Sequence, residues 1–116
     1  MKLEDLYSVL KEVLPNKAFY GTNAYDSTDN ASMPFIVYQE VTKRPSLYSD
    51  NKPDIYKSSV QITLVTKAKD VKLEKILEQK LLGKGLAFSL LSESHNADKS
   101  LNRTYEIYME EILNAK

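Results

Sequence analysis

The single histidine, His95, lies in the stretch SESHNADKS with Ser94 beside it and Asp98 three residues on, the residue types of a base, a nucleophile and an orienting acid. A triad needs these groups to converge from a rigid scaffold, the imidazole between the hydroxyl and a buried carboxylate. Neighbours on one polar turn do not line up in that way, so the stretch reads as solvated. Glu106, Glu110 and Glu111 offer paired acids or hard-metal oxygens. A general acid needs an apolar pocket, however, and a hard cation needs several convergent oxygens. These glutamates read instead as the wet side of a strand. Gly83-Lys84-Gly85 lacks the GxxxxGK frame and follows a helix rather than leading into one, which makes it a helix end and not a phosphate loop. Lys67, Lys69, Lys72 and Lys75 form a basic run broken by Asp70 and Glu74, closer to a solvated helix surface than to a phosphate track. Eight tyrosines against no tryptophan match no aromatic RNA-binding consensus and suit half-buried positions and protein interfaces. No catalytic, cofactor-binding or metal-ligating residue, and no cofactor, emerges from this search.

Composition bounds the remaining possibilities. At 116 residues, 42% hydrophobic and 28% charged, the chain fits one domain, residues 1–116, too apolar for disorder and too broken by charge for a membrane span. Sixteen cationic side chains balance sixteen anionic ones, so no net field draws the molecule to nucleic acid or to an anionic membrane. The opening MKLEDLYSVLKEVLP carries Glu4, Asp5 and Glu12 among its apolar residues, unlike a secretory hydrophobic region. With no cysteine there are no disulfides or thiolate sites, which fits a reducing cytosol. The glycosylation-like Asn30-Ala-Ser and Asn102-Arg-Thr then mean only polar composition.

The elements follow from periodicity. Leu3, Leu6, Tyr7, Leu10, Val13 and Leu14 share one helical face, stopped by Pro15. KAFY suits a short strand, and the turn-forming run over about 21–33 an exposed loop. PFIVYQEV is apolar on both faces at its start, with Pro34 tolerable only at the first position. Tyr56, Val60, Ile62 and Leu64 alternate with Lys57, Ser59, Gln61 and Thr63, the pattern of a strand with one buried face. Asp70 predicts the N-cap of a second helix with Leu73, Ile76, Leu77, Lys80 and Leu81 along one side and Gly83 as its left-handed end. FSLLSES and RTYEIYMEEI follow as two strands, Arg103, Tyr105, Ile107 and Met109 sharing a face, with HNADKS between them. The predicted class is α+β, an antiparallel or mixed sheet with a long hairpin packed against two helices, in the order α-β-β-β-α-β-β.

Between the two clearest strands lies TKRPSLYSDNKPD. Two strands can be joined by about two to five residues, yet this connection spends about a dozen, and it is expected to be an exposed loop over about 43–54. Its charges, prolines and single tyrosine mark it as an assembly arm. Lys43, Arg44, Tyr48, Asp50 and Lys52 are the expected partner contacts, because a tyrosine flanked by charges suits a buried anchor with a polar rim. So prominent a ribbon in so small a domain also leaves strand edges for a partner.

The leading helix LYSVLKEVLP, the MPFIVYQEV strand entered through a proline, the long connection, YKSSVQITLVTK, the helix KLEKILEQKL and the closing RTYEIYMEEI together resemble the tail terminator, or tail completion, proteins of long-tailed bacteriophages. Pro34, Phe35, Ile36, Val37 and Tyr38, followed at the right distance by Val60, Ile62 and Leu64, carry the likeness most specifically, as structural positions. The resemblance implies a non-enzymatic subunit that assembles with itself into a ring, commonly a hexamer, on the finished tail tube, halts its growth and joins the tail to the head connector. Its partners would be the tail tube protein and a head connector or completion protein, with DNA only as passing cargo and no membrane. It would occupy the host bacterial cytoplasm during assembly and the virion neck afterwards. A generic module binding proteins by strand addition, or a related head-completion protein, fits the same elements.

Overall fold

The computed structural model describes residues 3–15, 17–21, 33–49 and 52–112, with side chains described except at 46–49, 52–54 and 112. In chain order the elements are α1 (Leu3–Val13), β1 (Ala18–Tyr20), β2 (Phe35–Ser49), β3 (Lys52–Thr66), α2 (Val71–Gly83), β4 (Phe88–His95) and β5 (Leu101–Ile112). This is the α+β order that periodicity predicts. The sheet runs β1-β2-β3-β5-β4, with β1 parallel to β2 and every other pair antiparallel.

Period-two alternation puts one side of the sheet under the helices. Across the strands, Ile36 faces Leu64, Tyr38 faces Ile62, and Ile62 and Val60 face Tyr105 and Ile107 in turn. These residues pack with Leu6 and Leu10 of α1 and Leu77 and Leu81 of α2 in one buried cluster. Fully burying such a side chain is worth about 1.5–3 kcal/mol. The doubly apolar start of β2 has a matching explanation, since Phe35 and Val37 point to the opposite side. There they join Val65, Phe19 and Met33 in a second small cluster, with the Phe19 and Phe35 rings edge to face at 6.3 Å.

Both helices differ in detail from their predicted stripes. In α1, Val9 is buried beside Leu6 and Leu10, while Tyr7 is 39% exposed and leans toward Tyr38. In α2, Asp70 does cap the helix, its Oδ1 accepting from the Leu73 N–H at 3.1 Å. Its buried residues are Glu74, Leu77 and Leu81, whereas Ile76 and Lys80 face outward. A glutamate takes an inward place because cations meet it there.

Gly85, rather than Gly83, adopts the left-handed conformation, at φ +76°. The Gly85 N–H donates to Leu82 O at 3.0 Å and the Leu86 N–H to Leu81 O at 2.9 Å. This is the paired bonding of a Schellman end. Leu86 and Leu81 close it from inside the core.

The expected loop over 43–54 is a correction. Residues 43–49 and 52–58 are strand, and the ladder continues from Lys43↔Ser58 out to Ser49↔Lys52. Backbone groups that a loop would leave to water are paired across the hairpin instead. A bulge between Glu40 and Thr42 and irregularities between Pro45 and Tyr48 absorb the prolines and shift the register. The other expected loop, about 21–33, lies almost entirely outside the described residues.

β1 pairs only with Ile36 to Tyr38, and β4 reaches along β5 only to Ile107. Beyond those points β2, β3 and β5 run on as a three-stranded ribbon, in a molecule 53 Å long and 27 × 24 Å across. In the turn between β4 and β5, Lys99 holds φ 71°. Opposite shifts are therefore expected at two left-handed positions. Gly85→Ala should lower unfolding free energy by about 1 kcal/mol, and Lys99→Gly should raise it by a few tenths to about 1 kcal/mol. Urea midpoints at constant m-value check both signs.

Candidate assembly surfaces

The ribbon separates its expected contact residues between two faces. Lys43 lies on the helix side of the sheet, its Nζ 3.5 Å from Glu111 Oε2 and 5.8 Å from the Tyr56 ring centroid. Arg44 lies on the other face, directly opposite Lys57. Lys57 also faces Glu110 on its β5 side, and its Nζ lies 5.0 Å from the Tyr108 centroid. The Tyr108 hydroxyl donates to Glu106 Oε1 at 3.0 Å, and that carboxylate raises its pKa. Thr42, Pro45 and Ser59 complete a shallow groove of about 440 Å³ around these groups. Tyr48 and Lys52 occupy ladder positions opposite Pro53 and Ser49. Their side chains, and all of Asp50, lie outside the described residues. The structural positions fall where expected: Ile36, Tyr38, Val60, Ile62 and Leu64 in the main core, Phe35 and Val37 in the second cluster, and Pro34 just ahead of β2.

A second surface lies at the β4 edge. Every residue of β4 after Phe88 is exposed, and Leu90 and Leu91 are each nearly half so, with a register irregularity between Leu90 and Ser92. A charge network ties this edge to α2. Arg103 on β5 donates through Nη1 to Glu93 at 2.9 Å, through Nη2 to Glu78 at 3.1 Å and through Nε to the Tyr105 hydroxyl at 2.6 Å. Tyr105 in turn donates to Glu78 at 2.7 Å. Lys69 bridges Glu74 at 2.9 Å and Glu93 at 2.7 Å. Burial works against charge on Arg103, but its bonds to Tyr105, Glu93 and Glu78 carry its pKa above the ordinary value. Burial and the Glu78 carboxylate push the Tyr105 hydroxyl up. Glu93, hydrogen-bonded to Lys69 and Arg103, is held below the usual carboxylate range.

A third surface is an aromatic cleft of about 360 Å³ lined by Leu3, Glu4, Tyr7, Tyr20 and Tyr38. The Tyr7 and Tyr38 rings stack at 6.3 Å, and Tyr20 stands edge-on to Tyr38 at 5.2 Å. The Tyr20 hydroxyl accepts from the Glu40 N–H at 3.4 Å. Burial, then the neighbouring Tyr7 and Tyr20, raise the pKa of Tyr38.

The other chemistry-bearing residues are dispersed. Ser94 and His95, consecutive on β4, point to opposite faces, and Asp98 accepts from the Ser100 N–H at 3.0 Å and its hydroxyl at 2.6 Å. Glu106 and Glu110 lie on one face of β5 and Glu111 on the other. Among the described residues no group of three or more acidic, histidine or cysteine side chains is placed to hold a metal ion. No helix there is long and apolar enough to cross a membrane. The cleft and the network are the features sequence reading missed. For the network, the Glu74-x-x-x-Glu78 spacing on α2 was the available signal, since it aligns two acids on one helical face. Compared with models of known protein families and with curated proteins, the sequence matches none.

Arg103→Ala leaves Glu74, only 6% exposed, with Lys69 alone. It is expected to cost about 3 kcal/mol in denaturant unfolding. For Glu93 the sign follows from its depressed pKa. It contributes stability above its ordinary value of 4.5, and that contribution is lost as pH falls through the lower folded value. Glu93→Gln should therefore lower Tm at pH 7 yet flatten the loss of Tm on acidification below about pH 5, which calorimetry across pH reads directly.

Proposed function

We propose that this chain is a non-enzymatic virion assembly protein of a phage or prophage, forming a ring that terminates the tail tube and joins tail to head. The observation that carries the reading is the three-stranded ribbon of β2, β3 and β5. It runs past the helices, bears charged and aromatic side chains on both faces, and has strand edges with no neighbour among the described residues. A surface of that kind suits repeated contact between identical subunits better than the enclosure of a substrate. Partners in this reading are further copies of the chain, in a hexamer, the tail tube protein and the head connector. The balanced formal charge of +0 lets DNA pass without being gripped, since each neutralised phosphate would add affinity and slow transit.

One observation favours a second reading, a module that binds a partner by strand addition. β4 is an edge strand with exposed leucines, a docking ladder already half built.

Electron microscopy of the protein mixed with growing tail tubes separates the two. Capped tubes of fixed length support the ring, whereas tubes that stay open and lengthen overturn it. A companion variant replaces residues 44–57 with an Asn-Gly turn between Lys43 and Ser58, which face each other in the ladder. Its Tm should fall by only a few degrees, on the order of 1 kcal/mol, while capping is lost. Unfolding of the variant would instead make the ribbon part of the folding core.

A further inference from the structure

Two patches of this molecule match each other but cannot meet within one chain. The first is the tyrosine cleft. The carboxylates of Glu4, on its rim, and of Glu40, which shares an adjoining groove with Glu4 and Lys43, enter no ion pair or hydrogen bond among the described residues. Glu4 and Asp5 also stand in the first turn of α1, where they offset the positive end of that helix. Uncommitted carboxylates beside half-exposed phenol faces attract a cation. A flat guanidinium fits better than a compact ammonium, because it stacks on the rings while donating to the acids.

The second patch is Arg44. Of the ribbon cations with described side chains, Lys43 is held by Glu111 and Tyr56, and Lys57 lies over Tyr108. Arg44 is exposed, opposed by Lys57, and its side chain has no ion pair or hydrogen bond among the described residues. It stands six residues along β2 from Tyr38, about 20 Å at strand rise, and projects from the opposite side of the sheet.

We propose that the tyrosine cleft of one copy receives Arg44 of the next. This deepens the ring reading and rests on it. Cleft and guanidinium are different patches, so each copy gives one contact and takes one. Such a heterologous contact closes into a ring when its rotation permits. Tyr7 and Tyr20 stack the incoming guanidinium, and Glu4 and Glu40 take its N–H groups.

The test is sedimentation velocity on the full chain, with circular dichroism confirming the fold of each variant. Arg44→Ala, and separately the double variant Glu4→Lys with Glu40→Lys, should each weaken self-association roughly tenfold or more. Tyr20→Ser, which leaves α1 untouched, should weaken it in the same direction. Mixed in equal amounts, the Arg44 variant still offers a cleft and the double variant still offers Arg44. The pair should form a heterodimer and nothing larger. Either variant assembling like the unaltered chain, or a mixture that stays monomeric, overturns the contact. Capping of tubes that persists in the Arg44 variant would leave the ring standing without this contact, whereas uncapped tubes with the unaltered chain would remove the ring itself.

Discussion

β3 is the strand with the longest run paired along both sides, to β2 from Lys52 to Val65 and to β5 from Ile55 to Thr66. Its alternation of Val60, Ile62 and Leu64 inward with Gln61 and Thr63 outward therefore sets the face of three strands at once. A slip of one residue against either neighbour would carry these apolar side chains into water and bring glutamine and threonine under the helices. Each buried aliphatic is worth about 1.5–3 kcal/mol, so the register is held firmly where the helices cover the sheet. Farther out, Ser58 and Ser59 are both buried and the register irregularities begin. The core thus fixes one half of the hairpin and the ribbon continues it with a looser specification.

The Arg103 network solves a different problem at the far edge. β4 touches the sheet through β5 alone and buries little apolar surface of its own, with every residue after Phe88 exposed. Arg103 on β5 and Lys69 ahead of α2 both bond to Glu93 on β4, and both also reach glutamates of α2. Charge thus does here what apolar packing does at the centre, joining edge strand, neighbour strand and helix. A buried pair of this kind is costly to break but not always favourable to have. Its consequence is geometric, because it fixes how β4 lies against α2 and so what the open edge presents.

The parts of the fold written in local periodicity were legible in the sequence. The stripes of β3 and β5, the Asp70 cap and the α-β-β-β-α-β-β order needed no information beyond spacing within one element. What failed depended on pairing across distance. Residues 43–54 carry two prolines and several charges, which locally argue for a loop, yet a partner strand pairs them as far as Ser49↔Lys52. Glu74 could not be placed inward without knowing that Arg103 and Lys69 meet it. The tyrosine cleft draws Tyr7 from α1, Tyr20 from β1 and Tyr38 from β2, so no single motif could announce it. Of the expected contact residues, Lys43 and Arg44 were assigned to an exposed loop and lie instead on a strand. That one would be paired and the other left free follows only from their opposite faces.

An isolated two-stranded hairpin is marginal in water, and a third strand or a packed surface normally supports it. β5 supplies that third strand as far as Ile112, opposite Ile55, and among the described residues the hairpin then continues as two strands to Ser49↔Lys52. Ordering this outer ribbon costs backbone entropy. The ladder bonds of the hairpin are worth only about 1 kcal/mol each, net of water. In the proposed ring, cover by a neighbouring copy would offset part of that cost. There, a neighbouring copy's acidic aromatic surface would compensate Arg44, which stands opposite Lys57 in the free molecule. If the proposed ring forms, free and assembled chains would differ most in the order of the ribbon and least in the core, where packing within one chain already fixes the register.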